Sequence, residues 1–560
     1  QNATKDTPAP GVVTIEGWYN NKEMQDLYSI ELARRGYVVL ALDLHSHGDS
    51  ESLSIAELYD GAVGVDGAVQ LIASLPYVDT ARIGVTGHSS GGTAANMAVE
   101  IDNSRETPLI AAVLQQAGDW QDDTGGDHSG DYDSRSVGII ASTHDDFYFG
   151  TYDDAGNMLT NPAAFMETDG AKKFLNFNED GFAGIAEGGK YYTRDFDGKT
   201  AYRVIYRPNM IHPLVAFSTT CVGYAVDFFD TTLGAPKPLP ASDQIWPIKA
   251  VFNSLGVIGL LVFMVSFTLV LLDTPVFSVL RSGETVQPSP VQDSGAKVWY
   301  WVLLIIGAVF SGASFLFCMN TVYSKTTNFF VQTGPLTIGT WAALCGIFAI
   351  FCSAVFYGAY GKKHGWSARK AGLYLNLEQL WKTIALAVIV IVVSFGLVFA
   401  AHYFFQVDYR MYVVAFKTFG ADKVLIALRY LPFFLLFYVV NSISANCFNY
   451  NTIGGTNGNI LIFAFFNALG SIFVVASQYI YFYATGYQLY GLTEGQRIGP
   501  IWLFPCMVLL FVTPIMSRII YKRTRNPYIA GLINAMFIVM ISCSNTTTIL
   551  GGGELIATTF

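Results

Sequence analysis

From residue 249 onward the chain carries one apolar stretch after another, and this constrains its fold more than any motif does. Runs long enough to cross about 30 Å of hydrocarbon begin near Lys249, Val298, Leu336, Ile384, Val424, Asn459 and Ile501, and a shorter one covers 528–542. A backbone in lipid finds no hydrogen-bond partner outside its own segment, so such runs are predicted to be helices. One of them alone could be a buried core helix; about eight in succession read as an all-α polytopic transmembrane domain over 247–560. The protein is thus expected to be an integral, multi-pass cell-membrane protein, with the lipid bilayer as a partner.

The rest of the chain is different in kind. Mean hydropathy is +0.38 and 14% of residues are charged, too apolar for a purely soluble protein and too charged for a wholly embedded one. Of the 43 acidic residues 35 lie in 1–246, with 15 of the 33 basic ones, a net of −20 against +10 for the remainder. Basic residues cluster in the loop after the third span (Lys362, Lys363, Arg369, Lys370) and in that after the seventh (Lys522, Arg523, Arg525). Both loops have the same parity, so the positive-inside bias makes them cytoplasmic and puts residues 1–246 outside the cytoplasm. Arg410, Lys417 and Lys423, after the fourth span, count against this topology. The chain opens at Gln1 without a signal segment, so an exported domain implies an upstream segment.

Within 1–240, strand-like and helix-like segments alternate, which implies a mostly parallel sheet with ligand sites at the carboxyl ends of its strands. Strands are expected at 11–18, 37–44 and 82–87, and 54–75 reads as helical despite its glycines. The third strand ends on Gly87-His88-Ser89-Ser90-Gly91, which fits the G-x-S-x-G pattern of a serine held on a sharp strand-to-helix turn. The pattern alone could be an ordinary small-residue turn; its place at a strand end is the context the chemistry needs. Cys221 is the one cysteine of this region and is read as a small buried hydrophobe.

Five stretches in chain order, TIEGWYNNKE, LDLHSHGDS, GHSSGG, ASTHDDF and NMIHP with the helix after it, resemble the α/β-hydrolase superfamily, particularly its lipase/esterase and dienelactone-hydrolase-like members. The resemblance covers most of 1–232. It implies an α/β-hydrolase domain over 1–240, with further strands before residue 11 and a cap or lid at 147–200, the latter equally readable as a docking surface for the membrane part. It implies Ser89 as nucleophile, His212 as base and Asp145 as the acid that orients it, with Asp146 as the alternative acid. The oxyanion hole would be the backbone N–H groups of Ser90 and Trp18. Glu16 departs from the usual histidine-glycine pair and is expected to form a local salt bridge.

The function expected is that of a membrane-embedded serine hydrolase cleaving a carboxylic ester, lipid-derived or exported, through an acyl-serine. An acyltransferase with a lipid or secreted acceptor is the alternative; a transporter or assembly protein with a non-catalytic hydrolase-like domain is a third reading. No cofactor, metal or nucleic acid is expected; homo-oligomer formation through the membrane domain is left open. The acidic loop 118–134 (Asp119, Asp122, Asp123, Asp127, Asp131, Asp133) does not fit an EF-hand and reads as solvated. Residues 441–459 suggest a broken or re-entrant segment, His402, Arg429 and Asn467 are polar candidates for a lined cavity, and 365–384 looks like an interfacial amphipathic helix.

Overall fold

The computed structural model describes residues 3–122, 124–153, 158–291 and 293–554. Among them a seven-stranded sheet runs in the order Val38–Leu42, Ala9–Ile15, Val78–His88, Ile110–Gln116, Ser136–Ile140, Lys199–Tyr206, Tyr192–Phe196. Neighbours are parallel except the last pair, which is antiparallel. Alternation along the strands divides the core in two, because successive side chains point to opposite faces. Val13, Val85, Val113 and Ile139 pack with the helices Val65–Ser74 and Ser90–Asn103. Val12, Ala112, Leu114 and Val204 pack with Asp26–Arg34 and Thr219–Leu233 on the other side.

The stretch 54–75 is not one helix. It breaks into Ile55–Leu58, Asp60–Val63 and Val65–Ser74. Gly61, Ala62 and Gly64 take positive φ there, and the glycines that looked merely tolerated in a helix turn the chain instead.

Seven helices among the described residues are long and apolar enough to cross a membrane, from Trp246–Leu272 to Glu494–Thr524. The eighth apolar stretch forms a shorter helix, Tyr528–Ser544. The helices alternate in direction, so the bundle has one end on the hydrolase-like half and one end far from it. The clusters at 361–383 and 521–527 share the far end, where Gly372 approaches the Arg525 carbonyl so closely that a Cβ would collide with it. Residues 365–375 there are turns, not an amphipathic helix. Gly365 and Gly372 take positive φ, and Asn376, paired with Gln379 in a capping box, starts the fourth span at Leu377. The 441–459 segment is not re-entrant: the fifth helix ends in a wider π turn, Ser444–Phe448, and the sixth starts at Gly455. Its asparagines serve Arg518, which donates to Asn446 (2.8 Å) and Asn459 (3.0 Å).

The two halves are locked together. Glu31 accepts from the backbone N–H of Ile245 (2.7 Å) and Trp246 (3.0 Å), placing a carboxylate at the positive end of the first bundle helix. Buried Arg35 holds the linker through the carbonyls of Leu239, Pro240 and Asp243. The three basic residues after the fourth span lie at this interface. Lys417, 1% exposed, meets Glu23 (3.4 Å) and Asp49 (3.3 Å). Arg410 pairs with Asp408 (2.8 Å) and donates to Asn21 (2.8 Å), and Lys423 donates to Thr548 (2.9 Å). Arg410 and Lys417 have carboxylates of the acidic half as partners, Glu23 (4.0 and 3.4 Å) and, for Lys417, Asp49 as well, which explains why these two depart from the loop bias; the carboxylate beside Lys423 is its neighbour Asp422 (3.8 Å). Residues 545–554 wedge between the halves: Thr548 N–H donates to Ser46 (2.8 Å), and Ile549 and Leu550 pair in parallel with Leu53 and Ser54.

Candidate active site

The turn after strand Val78–His88 holds Ser89 at φ 55°, ψ −126°, a backbone region that costs a non-glycine residue about 1–3 kcal/mol. The surroundings enforce it. Ser89 N–H donates to Gln116 (2.8 Å), and its carbonyl accepts from Gly92 (2.7 Å) and Thr93 (3.2 Å). Both flanking glycines are sterically required: a Cβ on Gly87 would lie 2.2 Å from Gly91, and one on Gly91 would lie 2.2 Å from the Glu16 carbonyl. Gly91→Ala must therefore push the start of the helix Ser90–Asn103 away from the end of strand Ala9–Ile15; a loss of about 1–3 kcal/mol of stability, the usual cost of overpacking, is expected in thermal unfolding.

Asp145 and His212 come from the ends of neighbouring parallel strands, Ser136–Ile140 and Lys199–Tyr206, and a bridge between His144 and Ile211 carries the pairing on. His212 Nδ1 lies 2.9 and 3.0 Å from the two Asp145 carboxylate oxygens. Asp145, fully buried, also accepts from the N–H groups of Phe147 (3.0 Å) and Tyr148 (2.9 Å) and from Ser142 Oγ (3.1 Å). Asp146 takes a different place. Its carboxylate accepts the backbone N–H of His212 (3.2 Å), not the ring. Burial, and then the charge of Asp145, push Asp146 well above the usual carboxylate range.

Half-buried Ser89 lines one cavity together with His212, Trp18, Ser90 and Phe147. Among the described residues its hydroxyl is not hydrogen-bonded to His212. Ser90 opens the helix Ser90–Asn103, so its N–H belongs to the unpaired first turn. Gly17 brings Trp18 beside it: a Cβ there would stand 3.1 Å from the Ser89 Cβ. Among the described residues Glu16 forms no salt bridge. It is buried, one oxygen accepts from Leu44 N–H (2.8 Å), and burial followed by the charge of Asp43 raises it well above its ordinary value. Burial thus favours its neutral form, and its carboxyl is engaged with Leu44 in the core.

Several contributors were not read from the sequence. His88 donates from Nε2 to the His212 carbonyl (3.1 Å), and its ring lies 4.7 Å from that of His212. Burial, then the neighbouring His212, lower His88 to about 3, so it stays neutral. Tyr148 stacks on the other side at 5.8 Å and 15°. The Phe147-Tyr148-Phe149 run next to the acid was the available signal. The cap also differs from expectation: among the described residues of 147–200 only Phe147 lines the cavity, and Tyr192–Phe196 joins the sheet edge. The cover over Ser89 is instead the helical bundle, through Tyr412, Trp502 and Asn545. Of the polar candidates in the bundle, Asn467 lines this cavity while His402 and Arg429 do not; Arg429 donates to the Phe329 carbonyl (3.0 Å).

The acidic loop is solvated only in part: Asp127 and Asp133 are exposed. His128 bridges Asp122 (3.0 Å) and Asp131 (2.8 Å), and Asp119, Asp122 and His128 are buried; Asp123 lies outside the described residues.

Residues 11–239 match the alpha/beta hydrolase family. Similar solved structures include the Pyrococcus furiosus esterase Pf2001, at 13% identity and a TM-score of 0.27, covering 41% of this chain and 86% of that one. DcsB in complex with its substrate analogue is similar at 12% identity and a TM-score of 0.28, covering 41% and 92% respectively. A bacterial heroin esterase is similar at 13% and 0.27, covering 42% and 77%. No curated protein matches the chain. Residues 11–239 are an alpha/beta hydrolase domain, seated on a helical domain with seven helices long and apolar enough to cross a membrane.

Proposed function

We propose that this protein is a membrane-embedded serine esterase working at the junction of its two domains. The observation that carries this reading is the strained Ser89 sharing one cavity with a His212 whose Nδ1 is held by buried Asp145. With Nδ1–H donated to Asp145, Nε2 is left as the base for the Ser89 hydroxyl, and its loose geometry here is common before substrate is bound. Ser89 Oγ attacks the ester carbonyl, His212 takes its proton, and the oxyanion is held by the N–H groups of Ser90 and Trp18. Collapse breaks the bond to the alcohol, which leaves with the proton from His212. Water activated by the same imidazole then releases the acid and restores Ser89. Incubation of the full-length protein with a fluorophosphonate tests this directly. Covalent modification at Ser89 is expected; an unmodified protein, or modification at Ser90, sinks the assignment.

We further propose that the hydrolase domain lies outside the cytoplasm. Support comes from the basic clusters at the opposite end of the bundle and from the ion-paired state of Arg410 and Lys417. On intact cells an impermeant maleimide is expected to spare Lys363→Cys while an external protease reaches the 147–200 region. Labelling of Lys363→Cys from outside would reverse the topology and make the substrate intracellular.

A further inference from the structure

The cavity that starts at Ser89 does not end in the hydrolase domain. Its volume is about 590 Å³, and it continues through the bundle past Ala308, Trp341, Cys345, Phe434 and Leu509 to Phe356, Tyr360 and Trp366 at the far end. Along the third bundle helix, Thr333–Phe356, the lining runs from Gly334 to Phe356. At 1.5 Å per residue that is about 33 Å, comparable with the hydrocarbon thickness of a bilayer. Polar groups gather at the two ends, Ser89, His212 and Asn545 at one and His364, Asn449 and Asn451 at the other; between them Asn441 and Asn467 also line the cavity, with Asn441 donating to Asn467 (2.6 Å) and Asn467 to the Leu510 carbonyl (2.7 Å). The middle is mostly aromatic and aliphatic, so a polar ligand there would lose its water for few hydrogen bonds, whereas methylene groups would lose nothing. An elongated apolar space with a reactive carbonyl site at one end matches one kind of ligand.

We propose that the helical domain is the acyl-chain site of the hydrolase: the substrate is a long-chain ester whose carbonyl sits at Ser89 and whose alkyl chain runs into the bundle toward Phe356. This rests on the serine-esterase reading and adds the substrate class and a binding role for the helices. The ester C–O bond breaks at Ser89, the alcohol departs with the proton from His212, and hydrolysis of the acyl-serine leaves a long-chain carboxylate in the cavity. The bundle thus covers the nucleophile and sets the length of chain that fits.

The test uses the full-length protein in lipid nanodiscs and an alkyl fluorophosphonate bearing a diazirine at the end of a hexadecyl chain. Attack by Ser89 displaces fluoride; irradiation then joins the chain end to its neighbours. Cross-links are expected in peptides of 294–321 and 333–356, and cross-links confined to the hydrolase domain overturn the proposal. In parallel, kcat/KM is measured from acetyl to palmitoyl esters. Gly307→Leu and Ala342→Phe, both in the lining, are expected to lower the palmitoyl-to-acetyl ratio about ten-fold or more, the scale on which a filled apolar pocket discriminates by chain length. A Cβ at Gly307 meets nothing within 4 Å, so that variant keeps its fold, and an unchanged ratio in it counts against the chain site. A short ethyl fluorophosphonate separates the two readings. Modification of Ser89 by the short probe without bundle cross-links from the long one leaves an esterase and removes the chain site. If neither probe modifies Ser89, the serine reading fails; the same diazirine on a fatty-acid methyl ester then still reports whether the cavity takes an alkyl chain.

Discussion

Ser89→Ala is expected to lower ester hydrolysis by about 10⁴- to 10⁶-fold, the loss typical when a triad nucleophile is removed and binding and oxyanion donors are left in place. Active-site titration and steady-state rates on a short ester measure it, with the fluorophosphonate signal lost in the same variant. Folding should survive, because the hydrogen bonds that define the turn, Ser89 N–H to Gln116 and Gly92 N–H to the Ser89 carbonyl, are made by backbone. Alanine keeps the strain, since it too resists φ 55°. Ser89→Gly should relieve it and raise stability by about 1 kcal/mol or more while remaining inactive. An active Ser89→Ala protein would place the chemistry elsewhere.

Asp145→Asn should cost nearly as much, about 10⁴-fold in kcat, because an amide facing Nδ1 favours the wrong imidazole tautomer and leaves the imidazolium without its counter-charge. The neighbouring position is expected to behave differently. Asp146 is driven well above the carboxylate range by burial and by Asp145, which favours its neutral form. Its carboxyl accepts the backbone N–H of His212 and lies beside the Tyr479 hydroxyl, not against the imidazole ring. Asparagine there keeps the acceptor oxygen and the neutral charge, and a loss below about ten-fold is expected, on the scale of one neutral hydrogen bond. Comparing the two variants at one pH separates the residues; equal losses would mean that both carboxyls act on the ring.

Much of the site was legible because its signals are local. Gly87 and Gly91 announce a turn too tight for side chains, and the strand before them places the serine at a sheet edge where ligands bind. Asp145 could not be separated from Asp146 by position alone. Which of them meets the imidazole depends on His212, 67 residues away, and on how the chain leaves strand Ser136–Ile140. Glu16 was misread for a related reason: whether a carboxylate pairs with a cation or is buried in its neutral form depends on the dielectric around it, which neighbours in sequence do not supply. The helical reading of 54–75 failed at Gly61 and Gly64, where turning the chain won over propensity.

By itself the sequence determined the two-part architecture, the strand-turn-helix around Ser89 and the grouping of basic residues at one end of the bundle. Each follows from contiguous residues: apolar length, glycine at tight passages, charge next to spans. Only the tertiary structure decided that the bundle, and not 147–200, covers Ser89, that Arg410 and Lys417 answer Glu23 and Asp49, and that one cavity joins the nucleophile to the far end of the helices. Those features arise where surfaces hundreds of residues apart bury each other, and the free energy that selects them comes from desolvation and charge pairing across that contact. No single segment contains that information.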